Sequence, residues 1–194
     1  MKKVLATLVL CAAPVSMLVA SEADMQKRVQ DSREVIQQFA QQLQGELGKA
    51  MREGGPVKAI EACNAAAPAI AEAASREHGW TIARTSDKLR NPANAPDEWE
   101  AAVLAKFAER VAQGESPAGM GHFEVVSQNG REVFRFMSAI GMPAMEQAPC
   151  LMCHGESIKP EVMAKLNELY PKDQATGYQA GMLRGAFTIT QPLD

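Results

Sequence analysis

Two cysteines three positions apart, followed at once by a histidine, form the group in this chain with the clearest chemistry: Cys150, Cys153 and His154. In a C-x-x-C-H motif each thiol can add to one vinyl group of a haem, and the adjacent imidazole can ligate the iron. A C-x-x-C pair also occurs in dithiol redox sites and as half of a zinc site. The sequence holds no second C-x-x-C, which disfavours zinc. We therefore predict one covalently bound haem c.

The N-terminus is typical of an export signal. Lys2 and Lys3 precede a mostly apolar run over residues 4–20, which is short and rich in small residues for a membrane span. Small residues also precede Ser21 and Asp24, so we expect cleavage near one of them. An uncleaved membrane anchor is the alternative. We predict a signal peptide over residues 1–23 and a periplasmic domain over residues 24–194, in the oxidising setting that haem c attachment needs.

One cysteine remains after these assignments. Of the four in the chain, Cys11 lies in the predicted signal, and two are assigned to the haem, so Cys63 has no disulfide partner. Its alanine neighbours would let a helix approach a haem face, and Pro68 would free a carbonyl and kink the helix nearby. A buried cysteine that acts as a small hydrophobe is the alternative. A haem iron can also take a second side-chain ligand on its distal side. Further side chains that could serve there are His122, Met120, Met142 and Met145.

Composition narrows the class of protein. The net charge is -3, and no basic segment with interleaved aromatics suggests nucleic-acid binding. About 170 residues follow the predicted signal, which suits one domain. They contain no second apolar run, so we expect no membrane insertion after cleavage. No Ser-His-Asp arrangement or phosphate-binding glycine loop is visible, and we predict that the protein is not an enzyme.

The first half of the mature chain has helical periodicity. Apolar residues recur at helical spacing over residues 24–51, and Gly54-Gly55 ends this pattern. Pro56 suits the first position of a second helix, which extends to about residue 78. A short strand follows at residues 80–84, and Asp97 is a typical N-cap for a third helix that ends near residue 113.

The second half changes to the period of strands. Residues 123–126 and 132–137 flank Asn129-Gly130, a strong hairpin signal. A short helix is expected at residues 160–169 and a last strand at residues 184–189. Because helices come first and antiparallel strands follow, we predict a single α+β domain.

Several blocks together resemble a known family. They are Ala59–Asn64, Arg84–Pro96, Cys150–Gly155, Tyr170-Pro171, Gly177-Tyr178 and Arg184–Phe187. They are similar to the Tll-type family of PAS-like single-haem c-type cytochrome domains, and the similarity spans nearly the whole mature chain. It implies a PAS-like antiparallel sheet flanked by helices, with a long N-terminal helix. It also implies that the iron is held by the motif histidine and a distant cysteine, here His154 and Cys63.

Basic residues in the same blocks are candidates for the haem propionates. Lys88, Arg90 and Arg184 could each pair with a carboxylate, and Arg184 is preferred because it begins a strand close to the motif. The alternative is that these residues are solvated or form ion pairs within the fold.

Two functions follow from a haem c domain without a catalytic group. The first and favoured one is electron transfer with a redox partner that the sequence does not name. The second is a haem-based redox or gas sensor that signals through a separate protein, because the chain has no kinase, cyclase or methyl-accepting region. A peroxidase-like activity ranks last, because two axial ligands leave no open position on the iron. A homodimer is left open.

Overall fold

The computed structural model describes residues 21–193, so residues 1–20 of the signal predicted over residues 1–23 lie outside this range. The first element is helix α1, Glu22–His78, which begins with a capping box. In this box the Ser21 hydroxyl accepts a hydrogen bond from the Asp24 amide, and the Asp24 carboxylate accepts one from the Ser21 amide. Gly54 and Gly55 interrupt the helix with non-helical torsion angles. The two predicted helices are therefore confirmed, and they meet at the predicted glycines.

Three shorter helices complete the helical part. Helix α2 is Glu98–Ala112 and is capped by Asp97 as predicted, α3 is Leu151–His154, and α4 is Pro160–Leu169. A single 3-10 turn, Pro92–Asn94, precedes α2. None of the helices in residues 21–193 is long and apolar enough to cross a membrane.

The strands form one antiparallel sheet in the order β1-β4-β3-β2. They are β1 Thr81–Thr85, β2 Gly121–Gln128, β3 Arg131–Gly141 and β4 Leu183–Pro192. Asn129 and Gly130 join β2 to β3 with φ angles of 55° and 76°, which is the hairpin turn that Asn-Gly favours. β2, β3 and β4 are longer than predicted, because ladder pairing extends each strand beyond its apolar centre.

The sheet is covered by a different helix on each face. On one face α1 packs its apolar side against the sheet, forming a core of Val35, Ile36, Phe39, Ile82, Phe134, Phe136 and Ile189. On the other face α2 forms a second core with Val103, Leu104, Phe107, Met120, Met137 and Ala186. The alternation of Phe136 and Met137 between the two cores follows from the two-residue period of a strand. The prediction of an α+β domain with a helix-flanked antiparallel sheet and a long N-terminal helix is confirmed.

A buried polar group ties α2 to the sheet. The Arg135 guanidinium on β3 donates to the Asp97 and Glu100 carboxylates at 2.7 and 3.1 Å. The second of these carboxylates also accepts a hydrogen bond from the Thr188 hydroxyl at 2.7 Å. These contacts offset part of the cost of burying the guanidinium between the helix and the sheet, and its Nε has no hydrogen-bond partner among the described residues.

Candidate haem c site

The C-x-x-C-H motif forms a tight helical turn. Cys150 precedes α3, and its carbonyl accepts the His154 amide at 3.0 Å. A Cβ at Gly155 would lie 2.5 Å from the Leu151 carbonyl oxygen, so this position requires glycine. The Tyr178 amide donates to the His154 carbonyl at 2.9 Å, which fixes the turn against the loop of residues 173–178.

The imidazole of His154 has its Nδ1 fixed by a backbone carbonyl, and its Nε2 faces the Arg90 guanidinium. Nδ1 lies 2.8 Å from the Ala175 carbonyl oxygen, which can only accept, so Nδ1 carries the proton. The lone pair is therefore on Nε2, the atom that a metal would take. Burial holds the pKa of His154 well below its ordinary value, and the nearby charges of Arg90 and Arg184 add to this effect. The ring is thus neutral, which is the form that binds iron.

Arg90 braces the loop beside this histidine. Its guanidinium donates to the Cys153 carbonyl at 2.6 Å and to the Ala175 carbonyl at 3.2 Å, and it pairs with Asp173 at 3.0 Å. The Asp173 carboxylate also accepts the Ala175 amide at 2.8 Å. Nη1 of Arg90 lies 3.4 Å from Nε2 of His154. Arg90 is one of the predicted candidates for the propionates, whereas the structure shows the predicted alternative, an ion pair within the fold, here with Asp173.

The fold brings Cys63 towards the motif. Ile60, one turn before Cys63 on α1, packs with Leu166 of α4 in a cluster that includes Cys153. Burial raises the pKa of the half-buried Cys63 thiol, and the positive charges of Arg84 and Arg90 oppose that rise. Burial likewise raises the pKa of Cys153, and charge on Cys63 contributes to it. Cys63 thus lies one turn from a residue that packs in the same cluster as Cys153, although 90 positions separate the two cysteines in the sequence.

Helical torsion angles continue through Pro68, and the non-helical angles in α1 lie at Gly54 and Gly55. The Asn64 carbonyl has lost its usual donor, because proline has no amide hydrogen. The torsion angles therefore show no kink at Pro68, and the interruption of α1 lies instead at Gly54 and Gly55, about two turns before Cys63.

The other four candidates for the distal iron ligand lie at different places in the fold. His122 lies on β2, where its Nε2 is 2.8 Å from the Glu124 carboxylate, and Met120 is buried beneath α2. Met142 packs against Ala175 and Tyr178, on the Nδ1 side of the motif histidine. Met145 is exposed. Among the candidates considered from sequence, Met142 shares a cluster with Cys150, and Cys63 lies near Cys153 through Ile60 and α4.

Three basic side chains near the motif have no carboxylate partner among residues 21–193: Arg84, Lys88 and Arg184. Arg184 donates to the Ser86 hydroxyl at 2.9 Å and to the Lys88 carbonyl at 3.2 Å. The Lys88 ammonium donates to the Thr176 carbonyl at 2.5 Å and lies 4.6 Å from the centre of the Tyr178 ring. Burial lowers the pKa of Arg184. Burial and the positive charge of Arg184 both lower the pKa of Arg84.

Arg84 was not singled out by sequence analysis. Its guanidinium lies over the Phe39 ring at 5.7 Å from the ring centre, and its charge acts on both Cys63 and His154. The available signal was its position at the start of the Arg84–Pro96 block. The residue type alone could not separate it from the other arginines of the chain.

These residues fit a haem c. Within residues 21–193, no group of three or more His, Cys, Asp or Glu side chains is placed to hold a metal ion. A haem macrocycle would fill four positions of its iron, which leaves two positions for side chains such as His154 and Cys63. The unpaired arginines suit the two negative propionates of that macrocycle, because a guanidinium matches a carboxylate in charge and geometry.

A comparison with known protein families identifies the family of this chain. A family model described as Tll0287-like matches residues 20–192, and this chain therefore belongs to the Tll0287-like family. This confirms the resemblance found in the sequence.

A solved structure supports the fold. The crystal structure of the cyanobacterial heme-protein Tll0287 superposes with a TM-score of 0.64 at 23% sequence identity. The match covers 90% of this chain and 98% of that one. No match was found among the curated proteins.

Proposed function

We propose that this protein is a periplasmic single-haem c-type cytochrome that transfers electrons, with iron held by His154 and Cys63. One observation supports this most directly: His154 Nδ1 is fixed to the Ala175 carbonyl at 2.8 Å, which leaves the lone pair on Nε2 of the histidine that follows the motif cysteines. The structurally similar cyanobacterial protein is a heme protein by its title, and both chains share a fold.

Each side chain of the motif has a distinct part in this proposal. The thiols of Cys150 and Cys153 form the two covalent bonds, and the α3 turn holds them one helical turn apart. The bound haem would supply one-electron chemistry at its iron. His154 orients the proximal nitrogen, and its hydrogen bond to Ala175 strengthens the basicity of that nitrogen.

The surrounding charges hold the site in one arrangement. The pair of Arg90 and Asp173 fixes the loop that carries the Ala175 carbonyl, so the imidazole has little freedom to rotate. A ligand that stays in one orientation in both oxidation states favours fast electron transfer, since little rearrangement accompanies the change of charge. Arg184 and Arg84 are assigned to the propionates, because both are half-buried cations without a carboxylate partner in the described residues.

A haem-based redox or gas sensor is the second candidate, and a property of Cys63 favours it. Burial raises the pKa of this thiol, which favours the neutral form, and a neutral thiol is a weaker iron ligand than a thiolate. The segment of α1 that carries Cys63 also follows the break at Gly54 and Gly55, where the backbone can bend. Loss of Cys63 from the iron could then be transmitted to a separate partner protein through α1.

Covalent attachment is tested on denaturing gels stained for haem peroxidase activity. The protein band is expected to stain, and the double variant Cys150→Ala, Cys153→Ala is expected to lose the stain. Spectra of the oxidised and reduced protein, with and without carbon monoxide, then distinguish the two functions. A reduced form that does not bind carbon monoxide supports electron transfer, and rapid binding supports the sensor. Haem that extracts into acid acetone from the unaltered protein would contradict covalent attachment.

A further inference from the structure

Strand β2 forms one edge of the sheet, and its outer side is open. The strand pairs with β3 on its inner side. Just before β2 begins, the Met120 carbonyl accepts the Ala139 amide of β3 at 2.9 Å. Backbone groups alternate in direction along an antiparallel strand, so the odd-numbered residues of β2 direct their amides and carbonyls outward. Among residues 21–193, no other segment hydrogen-bonds to these outward groups.

The two edges of the sheet differ in how well they are protected. The other edge strand, β1, has five residues, and the Thr85 hydroxyl at its end donates to the Asn94 carbonyl of the 3-10 turn at 3.1 Å. β2 has eight residues, with no lysine or proline among them, and its register with β3 contains no bulge. Lysine, proline and bulges are the features that keep exposed edges from pairing with another chain. β2 is therefore the edge that is open to a further strand.

The side chains of β2 add an apolar surface to this open edge. Phe123 and Val125 are 38% and 43% exposed. Their cross-strand neighbours, Phe136 and Phe134, belong to the core beneath α1, so both exposed side chains lie on that face of the sheet. Helix α1 lies over β1 and β3 and leaves this outer strip uncovered. A strand added to β2 would gain backbone hydrogen bonds and apolar contact together.

A second copy of β2 fits this edge when it runs antiparallel about a two-fold axis. Outward groups meet when odd-numbered residues pair with each other, which places the axis at Phe123, Glu124 or Val125. An axis at Glu124 sets this carboxylate directly against its copy, which is unfavourable. An axis at Phe123 pairs only residues 121–125 of each strand, whereas an axis at Val125 pairs residues 122–128. The axis at Val125 thus pairs most of the strand and opposes no like charges.

The contacts in this register are complementary on both faces. Val125 lies opposite Val125 of the second copy, and Phe123 lies diagonal to it, within reach of an aromatic side chain. On the face towards α2, Glu124 lies opposite Val126 of the second copy, so neither carboxylate meets a like charge. One set of contacts is therefore made twice, which is the property of a closed two-fold interface.

We propose that this protein forms a homodimer in which β2 pairs with β2 of a second copy, with the two-fold axis at Val125. The two four-stranded sheets become one continuous sheet. Association stops at two copies, because the pairing uses the open edge of each one. The attachment motif and Cys63 lie outside β2, so the interface does not involve the proposed haem ligands.

Sedimentation velocity of the purified protein at several concentrations provides the first test. The unaltered protein is expected to shift from monomer to dimer as its concentration rises. Val125→Lys would set two ammonium groups against each other at the axis, and we expect it to raise the dissociation constant by more than about tenfold. Val125→Thr, which keeps a β-branched side chain, is expected to keep the dimer. Met182→Lys is the matched control, because Met182 is an apolar side chain that is 40% exposed outside β2.

Hydrogen exchange distinguishes strand pairing from other modes of association. The amides of Phe123 and Val125 are expected to exchange slowly at high concentration and to lose this protection on dilution. The amides of Glu124 and Val126 donate to β3 and are expected to stay protected at both concentrations. Circular dichroism of each variant is expected to match that of the unaltered protein, which shows that the fold is retained.

Disulfide trapping tests the register. Opposed residues of paired strands lie within the range that a disulfide spans, so Val125→Cys is expected to cross-link two copies on oxidation by copper phenanthroline. Phe123→Cys and Glu124→Cys are expected to cross-link much less. The unaltered protein controls for its own thiols.

Several results would overturn the proposal. They are a monomer at all concentrations, a dimer that survives Val125→Lys, and faster cross-linking through position 123 or 124. Protection of the outward amides that appears only when a different protein is added would assign the edge to that partner and would also contradict the homodimer. None of these measurements depends on covalent haem, so this proposal and the proposed function can fail separately.

Discussion

The Cys63 thiol is the side chain whose replacement tests the proposed iron ligation most directly. An anionic thiolate stabilises ferric over ferrous iron, so Cys63→Ala is expected to raise the reduction potential. It is also expected to shift the ferric spectrum and to allow fast binding of carbon monoxide by the reduced protein, because the distal position becomes open. Spectroelectrochemistry and stopped-flow mixing measure these changes.

His122→Ala is the control for Cys63→Ala. This histidine contacts Glu124 on β2, so its removal is expected to leave the potential and the spectrum as they are. An unchanged ferric spectrum in Cys63→Ala, together with a changed one in a variant of His122 or of a methionine, would assign the distal ligand elsewhere. The sensor function would then lose its main support.

Asp173 is predicted to stabilise the fold through Arg90. The side chains of the pair are 6% and 14% exposed, so Asp173→Asn would leave a guanidinium buried without its counter-charge. Removing one partner of a buried pair costs about 3 kcal/mol of unfolding free energy. Denaturant titration of the purified protein measures this loss. Glu61→Gln is the control. The Glu61 carboxylate pairs with Lys165 but is 45% exposed, so a loss of less than about 1 kcal/mol of unfolding free energy is expected. Equal losses in the two variants would contradict the assigned role of Asp173.

The break in helix α1 at Gly54 and Gly55 depends on the backbone conformation of Gly55. Its φ of 69° and ψ of -161° lie in a region that only glycine adopts readily, so Gly55→Ala is expected to lower the unfolding free energy by about 1–3 kcal/mol. Gly45→Ala is the matched control. Gly45 has helical torsion angles and an open space around the new Cβ, so alanine there is expected to stabilise by about 0.5–1 kcal/mol. Thermal and denaturant unfolding measure the stability of both variants. If both substitutions stabilise the protein, Gly55 does not require its non-helical conformation, and the proposed break in α1 is wrong.

Glu124 connects the edge strand β2 to α2. Its carboxylate accepts a hydrogen bond from the Trp99 indole at 2.8 Å, and this bond, with the one to His122, lowers the pKa of Glu124. A carboxyl with a lowered pKa in the folded state stabilises the fold above its ordinary pKa of about 4.3, and this stabilisation is lost as the pH falls through the folded value. The stability advantage of the unaltered protein over Glu124→Gln is therefore expected to be largest near neutral pH and to shrink with acid. Unfolding measured across a pH series checks this, and an advantage that grows with acid would contradict it.

The molecule as a whole is proposed to act after export. Small residues precede Ser21 and Asp24, so the processed chain is expected to begin near residue 21 or 24. Intact-mass measurement of haem-containing protein from the periplasmic fraction checks both the start of the chain and its location. Residues 1–20 still attached, with the protein in the membrane fraction, would instead indicate an anchor.

The elements of this molecule were predictable because their signals are local. Asp97 caps α2, Pro160 begins α4 and Asn129-Gly130 turns the hairpin, and in each case a few neighbouring residues set the backbone conformation. The order of strands in the sheet was not predicted, since β4 enters between β1 and β3 from the end of the chain. That choice depends on how apolar faces from distant segments pack together.

At the candidate site, the sequence by itself determined that two cysteines and a histidine stand in the spacing of a haem attachment motif and that Cys63 is the remaining cysteine of the predicted mature chain, because these depend on residue type and spacing. Only the tertiary structure decided which nitrogen of His154 is available, since its partner is a backbone carbonyl that any residue at position 175 could offer. It also decided that Arg90 is held in an ion pair, whereas Arg84 and Arg184 have no carboxylate partner in the described residues. Arg90 and Asp173 are 83 positions apart in the sequence. Only the folded structure shows that they form a pair, because their separation along the chain does not tell how far apart they lie in space.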